Sequence, residues 1–327
     1  MKILNTIFPE RSNATWNGKY SYTYSACENG IDLEDAIKNY LEYLHNSCAP
    51  NTLYCYSRDL NFLLKHIGNI KLDSLSEDVL NDFITQLCCS GKKFSIRSGT
   101  TLNRIKSVYR SFLNFCFKRK YTAINLSDEI HLVKSCSRFT TAITQEEITS
   151  LLSTISHSAD TFSQRDKALF SVYAFAGIRK TEALALQISD YDKDLKLLHL
   201  PLVKRSSKKF QTIPSILSRI LDDYLIAFRN ADPSSPMFPG GHVQTNLSSR
   251  QVSYRLEKWK VISGIRKSLT IHSFRAAYAS QLYKKTKDPL LVSYALGHSS
   301  FETTKRYICH DHLNFHSIIN DAFTNGV

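Results

Sequence analysis

The chain has 327 residues, the length of about two domains, and its 43% hydrophobic and 22% charged content is that of a globular protein with a substantial core. Lys and Arg number 42 against 29 Asp and Glu, and the formal net charge of +13 points to a polyanionic partner, nucleic acid before others; a basic surface of no dedicated use is the plainer alternative. No apolar run approaches the ~18 residues of a membrane span, Met1-Lys2-Ile3-Leu4 is too short for the apolar core of a signal peptide, and the eight cysteines form no C-x-x-C pair, which speaks against zinc and for reduced thiols in a cytoplasmic protein.

Residues 1–30 carry aromatic and polar side chains without a period (Phe8, Trp16, Tyr20, Tyr22, Tyr24) and read as an N-terminal extension. From Ile31 the pattern becomes helical: Leu33, Ala36, Ile37, Tyr40, Leu41 and Leu44 share a face. Asn51 is a candidate cap for a second helix with Leu53, Tyr56, Leu60 and Leu63 on one side. Val79, Leu80, Phe83, Ile84 and Leu87 mark a third helix, and Leu102, Ile105, Tyr109, Phe112, Phe115 and Cys116 a fourth. The fourth also carries Arg104, Lys106 and Arg110, a basic face suited to phosphates or simply to solvent. An all-helical domain over residues 31–125 follows, then a polar linker over 126–141 and a second domain over 142–327.

The second domain opens on Thr144-Gln145-Glu146-Glu147 ahead of Ile148, Leu151 and Leu152, a capping-box pattern. Ala168, Leu169, Val172 and Phe175 predict a helix stopped at Gly177. Leu195–Val203 and Phe210–Ile213 read as two strands of a hairpin whose turn, Lys204-Arg205-Ser206-Ser207-Lys208-Lys209, is basic. A helix over Arg250–Ile262 carries Val252, Leu256, Trp259 and Ile262 on one side and Arg250, Arg255 and Lys258 elsewhere. His272 and Arg275 stand at i, i+3, on one side of a helix. Asp288-Pro289 starts another helix that ends at Gly297, before His298. The fold class is therefore mostly α with a small antiparallel β-sheet.

The chemistry-bearing residues are Arg179 with Glu182 three residues on, the His272/Arg275 pair, His298, and Tyr307 nine residues after it. Arginine suits a phosphate because its planar fork makes two charge-assisted bonds. Two arginines can hold both non-bridging oxygens of one phosphodiester while a phenol oxygen attacks it. No metal or other cofactor enters this scheme.

Taken together, Ala176-Gly177-Ile178-Arg179-Lys180-Thr181-Glu182-Ala183-Leu184, His272-Ser273-Phe274-Arg275 and Leu296-Gly297-His298…Tyr307 resemble the catalytic motifs of tyrosine recombinases, the phage-integrase family. The resemblance is strong in the catalytic half and moderate over the helical domain, where Asn51-Thr52-Leu53, Tyr56, Asp59 and Leu60 look like the family's core-binding helices of SAM-like type. It implies a C-shaped clamp on duplex DNA, with Tyr307 as nucleophile, Arg179 and Arg275 on the phosphate, His272 and His298 in hydrogen bonding and proton transfer, and Glu182 in support. It also implies a general-acid lysine on the hairpin turn; Lys204 fits best, with Lys208 and Lys209 as competitors.

Arg104, Lys106, Arg110, Arg250, Arg255 and Lys258 are the candidate DNA contacts. The segment Leu313–Phe323 reads as a short amphipathic helix that, by resemblance, docks on a neighbouring protomer of a tetramer. The implied role is integration or excision of a mobile element at a specific site, with accessory DNA-bending or directionality proteins as further partners. Dimer resolution by the same chemistry, a type IB topoisomerase and a DNA-binding protein that no longer cuts are the rivals.

Overall fold

The computed structural model describes residues 30–89, 98–134, 141–201, 209–226, 232–241 and 245–297. The N-terminal extension, most of the hairpin turn including Lys204 and Lys208, His298, Tyr307 and the segment 313–323 lie outside them. The chain divides into two compact units, Met1–Ser137 and Arg138–Val327.

Four helices build the first unit: α1 (Leu33–His45), α2 (Pro50–Ile67), α3 (Glu77–Cys89) and α4 (Gly99–Lys118). The predicted stripes are the buried ones. Leu33, Ala36, Ile37, Tyr40, Leu41 and Leu44 of α1 face inward. The Tyr40 ring packs 5.5 Å from Phe112 and 5.0 Å from Phe115 of α4, and its hydroxyl satisfies itself on Ser111 at 2.7 Å.

Two expectations change here. Asn51 does not cap α2: the helix starts two residues earlier, with Pro50 in its first turn and Ala49 at the cap without a side-chain bond. Proline's fixed φ and missing N–H make it suited to that position. The segment read as a linker from residue 126 also belongs, at its start, to the first core, where Leu126 and Ile130 are buried. It is stitched to α4 by Asn103, which exchanges bonds with the carbonyl and the N–H of Val133 (2.7 and 2.8 Å), and by Lys106, whose ammonium donates to the His131 carbonyl at 2.9 Å. Its polar composition conceals two apolar anchors spaced one turn apart.

The second unit runs α5 (Gln145–Ser156), α6 (Ser163–Ala176), α7 (Lys180–Leu184), β1 (Tyr191–Asp192), β2 (Leu197–His199), β3 (Phe210–Thr212), α8 (Ser215–Leu225), α9 (Ser249–Ile262), α10 (Ile271–Thr286) and α11 (Pro289–Leu296). The capping box of α5 is complete, with Thr144 and Glu147 each accepting from the other's backbone N–H. Helix α6 is the centre of the unit; it packs on α5, α8 and α10 and is buried nearly all round. The strands form an antiparallel sheet in the order β1-β2-β3, with Leu198 opposite both Tyr191 and Gln211. The predicted first strand is shorter than expected because Leu195 and Lys196 make the turn from β1. The Leu195 N–H bonds the Asp192 carboxylate at 2.8 Å, and Lys196 takes a φ of +51°. Strand β1, only two residues long, has no period to read.

A buried ion network ties α6 to α9. Asp166, fully buried, accepts from Arg165 (2.8 Å), from the Arg255 guanidinium and from the Trp259 indole N–H (2.7 Å). Arg255 also grips Asp160 at 2.6 and 3.0 Å, and Lys258 pairs with Asp160 as well. These bonds, Arg255's first, hold the Asp160 carboxyl well below the usual carboxylate range. Removing Asp166 takes the carboxylate partner from buried Arg165, one of two from Arg255, and the acceptor from the indole N–H. Asp166→Ala is therefore expected to lose about 3–5 kcal/mol of stability, read as a lower chemical-denaturation midpoint. Among the described residues no helix is long and apolar enough to cross a membrane.

Candidate active site

Helix α6 ends where the chain needs a left-handed residue, and Gly177 supplies it with φ +61°. Space demands glycine there too. A Cβ on Gly177 would lie 2.4 Å from Cδ1 and 2.6 Å from Cγ of Tyr278. Two residues on, Arg179 is the cap residue of α7. Glu182, buried in the first turn of α7, takes the Arg179 backbone N–H on Oε2 at 2.7 Å and its Nη1 on Oε1 at 2.8 Å. One carboxylate thus fixes both the backbone and the guanidinium of Arg179. Charge on the carboxylate is matched by the paired arginine.

Arg275 comes from the second turn of α10 and is buried. Its Nη1 donates to the Gly177 carbonyl at 2.7 Å and its Nη2 to the Leu296 carbonyl at 2.5 Å. The Nη2 of Arg179 donates to the very next carbonyl, that of Gly297, at 2.9 Å. Both guanidinium groups therefore meet the C-terminal end of α11. A helix end leaves its last carbonyls unpaired and carries partial negative charge, so two cations are well placed there. Helix α11 is set by Asp288, which accepts from the N–H groups of Leu290 and Leu291 (2.8 and 3.2 Å), with Pro289 behind it. It stops at Gly297 in the left-handed conformation, φ +61°, and His298 is the next residue in the chain.

His272 opens the first turn of α10 and remains open to solvent on one side. Partial burial, then the charges of Arg275, Lys180 and Arg179, push its imidazole below the ordinary value. The neutral ring, able to accept a proton or a hydrogen bond, is the resting form at pH 7. A depressed folded pKa contributes stability that is complete above the unfolded value of about 6.5 and is lost as pH falls through the folded value. Wild type should therefore lose stability relative to His272→Asn as pH drops below about 6.5, and the two should run parallel above it. Unfolding midpoints measured across pH check this.

The structure brings together Arg179, Glu182, His272 and Arg275, and adds Lys180 and Tyr278, which sequence reasoning passed over. Lys180 was legible as a second cation beside Arg179; Tyr278, one turn beyond Arg275, looks like any core aromatic. Among the candidate DNA contacts, Arg110 and Arg250 are exposed. Arg104 is engaged with Asp59 through both of its terminal nitrogens, and Arg58 pairs with the same carboxylate at 3.0 Å. Three more are engaged within the protein. Lys106 is buried on the His131 carbonyl, while Arg255 and Lys258 are spent on Asp160 and Asp166. Helical periodicity marks these positions as polar, and does not show that a carboxylate or carbonyl waits for them inside.

Residues 141–313 match the model of the phage integrase family, and residues 37–120 that of the phage integrase N-terminal SAM-like domain. The first match alone spans more than half of the chain. Tyrosine recombinase XerC of Neisseria meningitidis serogroup B is 28% identical over 281 residues, covering 84% of this chain and 91% of the relative. Tyrosine recombinase XerD of Oceanobacillus iheyensis is 26% identical, covering 84% and 93%. Among solved structures, the Tn1549 transposon integrase in complex with circular intermediate DNA superposes with a TM-score of 0.71 at 15% identity, over 89% of this chain and 99% of that one. XerH bound to palindromic difH substrate superposes at 0.66 and 18% identity, over 87% and 83%; at these identities the likeness is one of fold. A helical unit followed by a unit in which the two arginine motifs converge, each matched by its own model, places the chain in the phage integrase family, the tyrosine recombinases.

Proposed function

We propose that this enzyme exchanges DNA strands at a specific site through Tyr307. The convergence of the Arg179 and Arg275 guanidiniums on the end of α11 carries the reading, because it sets two forks side by side immediately before His298 in the chain. In this scheme the Tyr307 phenol oxygen attacks phosphorus, the P–O5′ bond breaks, and the enzyme holds a 3′-phosphotyrosyl bond. Arg179 and Arg275 bear the charge that grows on the non-bridging oxygens. His272 and His298 donate hydrogen bonds and carry the phenol proton. Lys204 gives its proton to the departing 5′-oxygen. The phosphotyrosyl ester conserves the energy of the broken bond, so a 5′-hydroxyl from a second duplex reseals the strand without ATP.

The use we propose is integration and excision of a mobile element in the cytoplasm. The synaptic complex is a tetramer on double-stranded DNA, with accessory DNA-bending or directionality proteins, and Arg110 and Arg250 touch the duplex. A second reading, resolution of chromosome or plasmid dimers, draws on the relatives named XerC and XerD, which match over nearly their whole length.

One assay separates these readings and the rival enzymes. Supercoiled plasmid carrying the flanking DNA of this chain's own locus is incubated with the protein. Recombinant circles together with an SDS-resistant protein–DNA band are the expected result. Relaxation without recombinants means a topoisomerase, and binding without a covalent band means a silent binder. Two directly repeated sites on one plasmid test dimer resolution; joining of two separate plasmids tests integration.

A further inference from the structure

The buried amide of Gln211 has no obvious reason to be where it is. It is the middle residue of β3, opposite Leu198, and strand alternation turns it inward between exposed Phe210 and Thr212. An apolar side chain would fill such a position without the desolvation cost of an amide. Its Nε2 is held by the Thr212 carbonyl at 3.1 Å and by the Tyr278 hydroxyl at 3.3 Å.

Tyr278 stands one turn beyond Arg275 on α10, and its ring occupies the place of a Cβ on Gly177. Gly177 in turn gives its carbonyl to Arg275. A short path of contacts therefore runs from β3 through Gln211 and Tyr278 to the turn that both arginines depend on. The electrostatic environment agrees: the Arg275 charge reaches the Tyr278 phenol, though burial dominates and pushes that phenol upward. On the other side, β3 is one arm of the hairpin. The Leu200 N–H bonds the Lys209 carbonyl at 2.8 Å, the last described pair before the basic turn, and Lys204 lies in the sequence enclosed by that pair.

We infer that Gln211 and Tyr278 are positioning residues, a hydrogen-bonded strut that fixes the basic hairpin relative to the two phosphate-holding arginines, and so sets where the leaving-group proton is delivered. The inference rests on the reading that the hairpin supplies the general acid. No contact between either residue and the DNA is needed for it.

The test uses full-length protein and two forms of the same cleavage substrate, one ordinary and one with sulfur as the bridging 5′-atom, a leaving group that needs no proton. Tyr278→Phe deletes only the hydroxyl, and Gln211→Leu replaces the amide with an apolar group. Thermal melts establish that each variant is folded. Both are expected to cleave ordinary DNA about 10- to 100-fold more slowly, the size of effect of a modest misplacement of a catalytic group. Both should approach the wild-type rate on the sulfur substrate, and the double variant should be no slower than either single one.

Lys204→Ala, Lys208→Ala and Lys209→Ala are run alongside. Rescue of one lysine variant by sulfur without rescue of Tyr278→Phe or Gln211→Leu overturns the strut alone. Rescue of none of the lysine variants overturns the hairpin acid and the strut with it. Wild-type rates for Tyr278→Phe on ordinary DNA also overturn the strut. Equal slowing on both substrates means that the pair supports the arginines or the fold and does not govern proton delivery.

Discussion

Tyr307→Phe is expected to bind the cognate site with wild-type affinity and to form no covalent adduct. The substitution removes one oxygen, and binding by this family-type interface rests mainly on backbone contacts made elsewhere. Cleavage should fall by on the order of 10⁶-fold, the loss seen when a covalent nucleophile is deleted. The argument turns on what a tyrosine needs in order to attack. A free phenol titrates near 10. Burial in the core moves it the wrong way, as at Tyr173, Tyr224 and Tyr278, all raised by desolvation. Guanidiniums placed beside a phenol act in the opposite direction, which is the part the proposal gives to Arg179 and Arg275. Denaturing gel electrophoresis of labelled DNA reads the adduct, and an SDS-resistant band from the Phe protein would reassign the nucleophile.

Arg275→Ala should cost cleavage at least about 10²–10³-fold, the loss for one transition-state donor, and should also lower the melting temperature. The second effect comes from the protein itself. The carbonyls of Gly177 and Leu296 lose their donor, a desolvation penalty of about 1–3 kcal/mol for a buried group left unpaired. Arg275→Lys separates the two roles. A lysine keeps the positive charge but lacks the planar fork that spans two carbonyls and still faces a phosphate. It should recover stability in part and activity hardly at all. Sulfur at the bridging 5′-position should not rescue either variant, because the deficit is in holding charge on the non-bridging oxygens. A fully active Lys variant would show that charge alone suffices at this position.

Much of the fold was legible because its signals are local. The inward faces of α1 and α4, the Thr144–Glu147 box, the Gly177 and Gly297 stops and the Asp288-Pro289 start are each written within a few residues and each stand as read. Of the candidate site, Arg179, Glu182, His272 and Arg275 were marked by residue type and spacing and lie around one turn in the structure, while Lys204, His298 and Tyr307 fall outside the described residues. What could not be read was partnership across the chain. Arg255 and Lys258 look like a DNA face until Asp160 and Asp166, some 90 residues earlier, are seen beneath them. Lys106 looks exposed until the His131 carbonyl arrives over it. Leu126 and Ile130 look like linker because two apolar residues cannot announce a core without knowing which helix they meet. Gln211 and Tyr278 were invisible for the same reason: their meaning lies in each other.

The inward-facing cations bear on how the enzyme senses ionic strength. Each phosphate neutralised by a protein cation releases a condensed counterion, and the steepness of affinity against salt counts those events. Lys106, Arg165, Arg255 and Lys258 are already committed to carbonyls or carboxylates within their own unit. They add to the formal charge of +13 without adding to the ions displaced on binding. The salt response of this protein is thus set by a smaller population of cations than its composition advertises. A lysine or arginine tally read from sequence overstates how many phosphates it can grip at once.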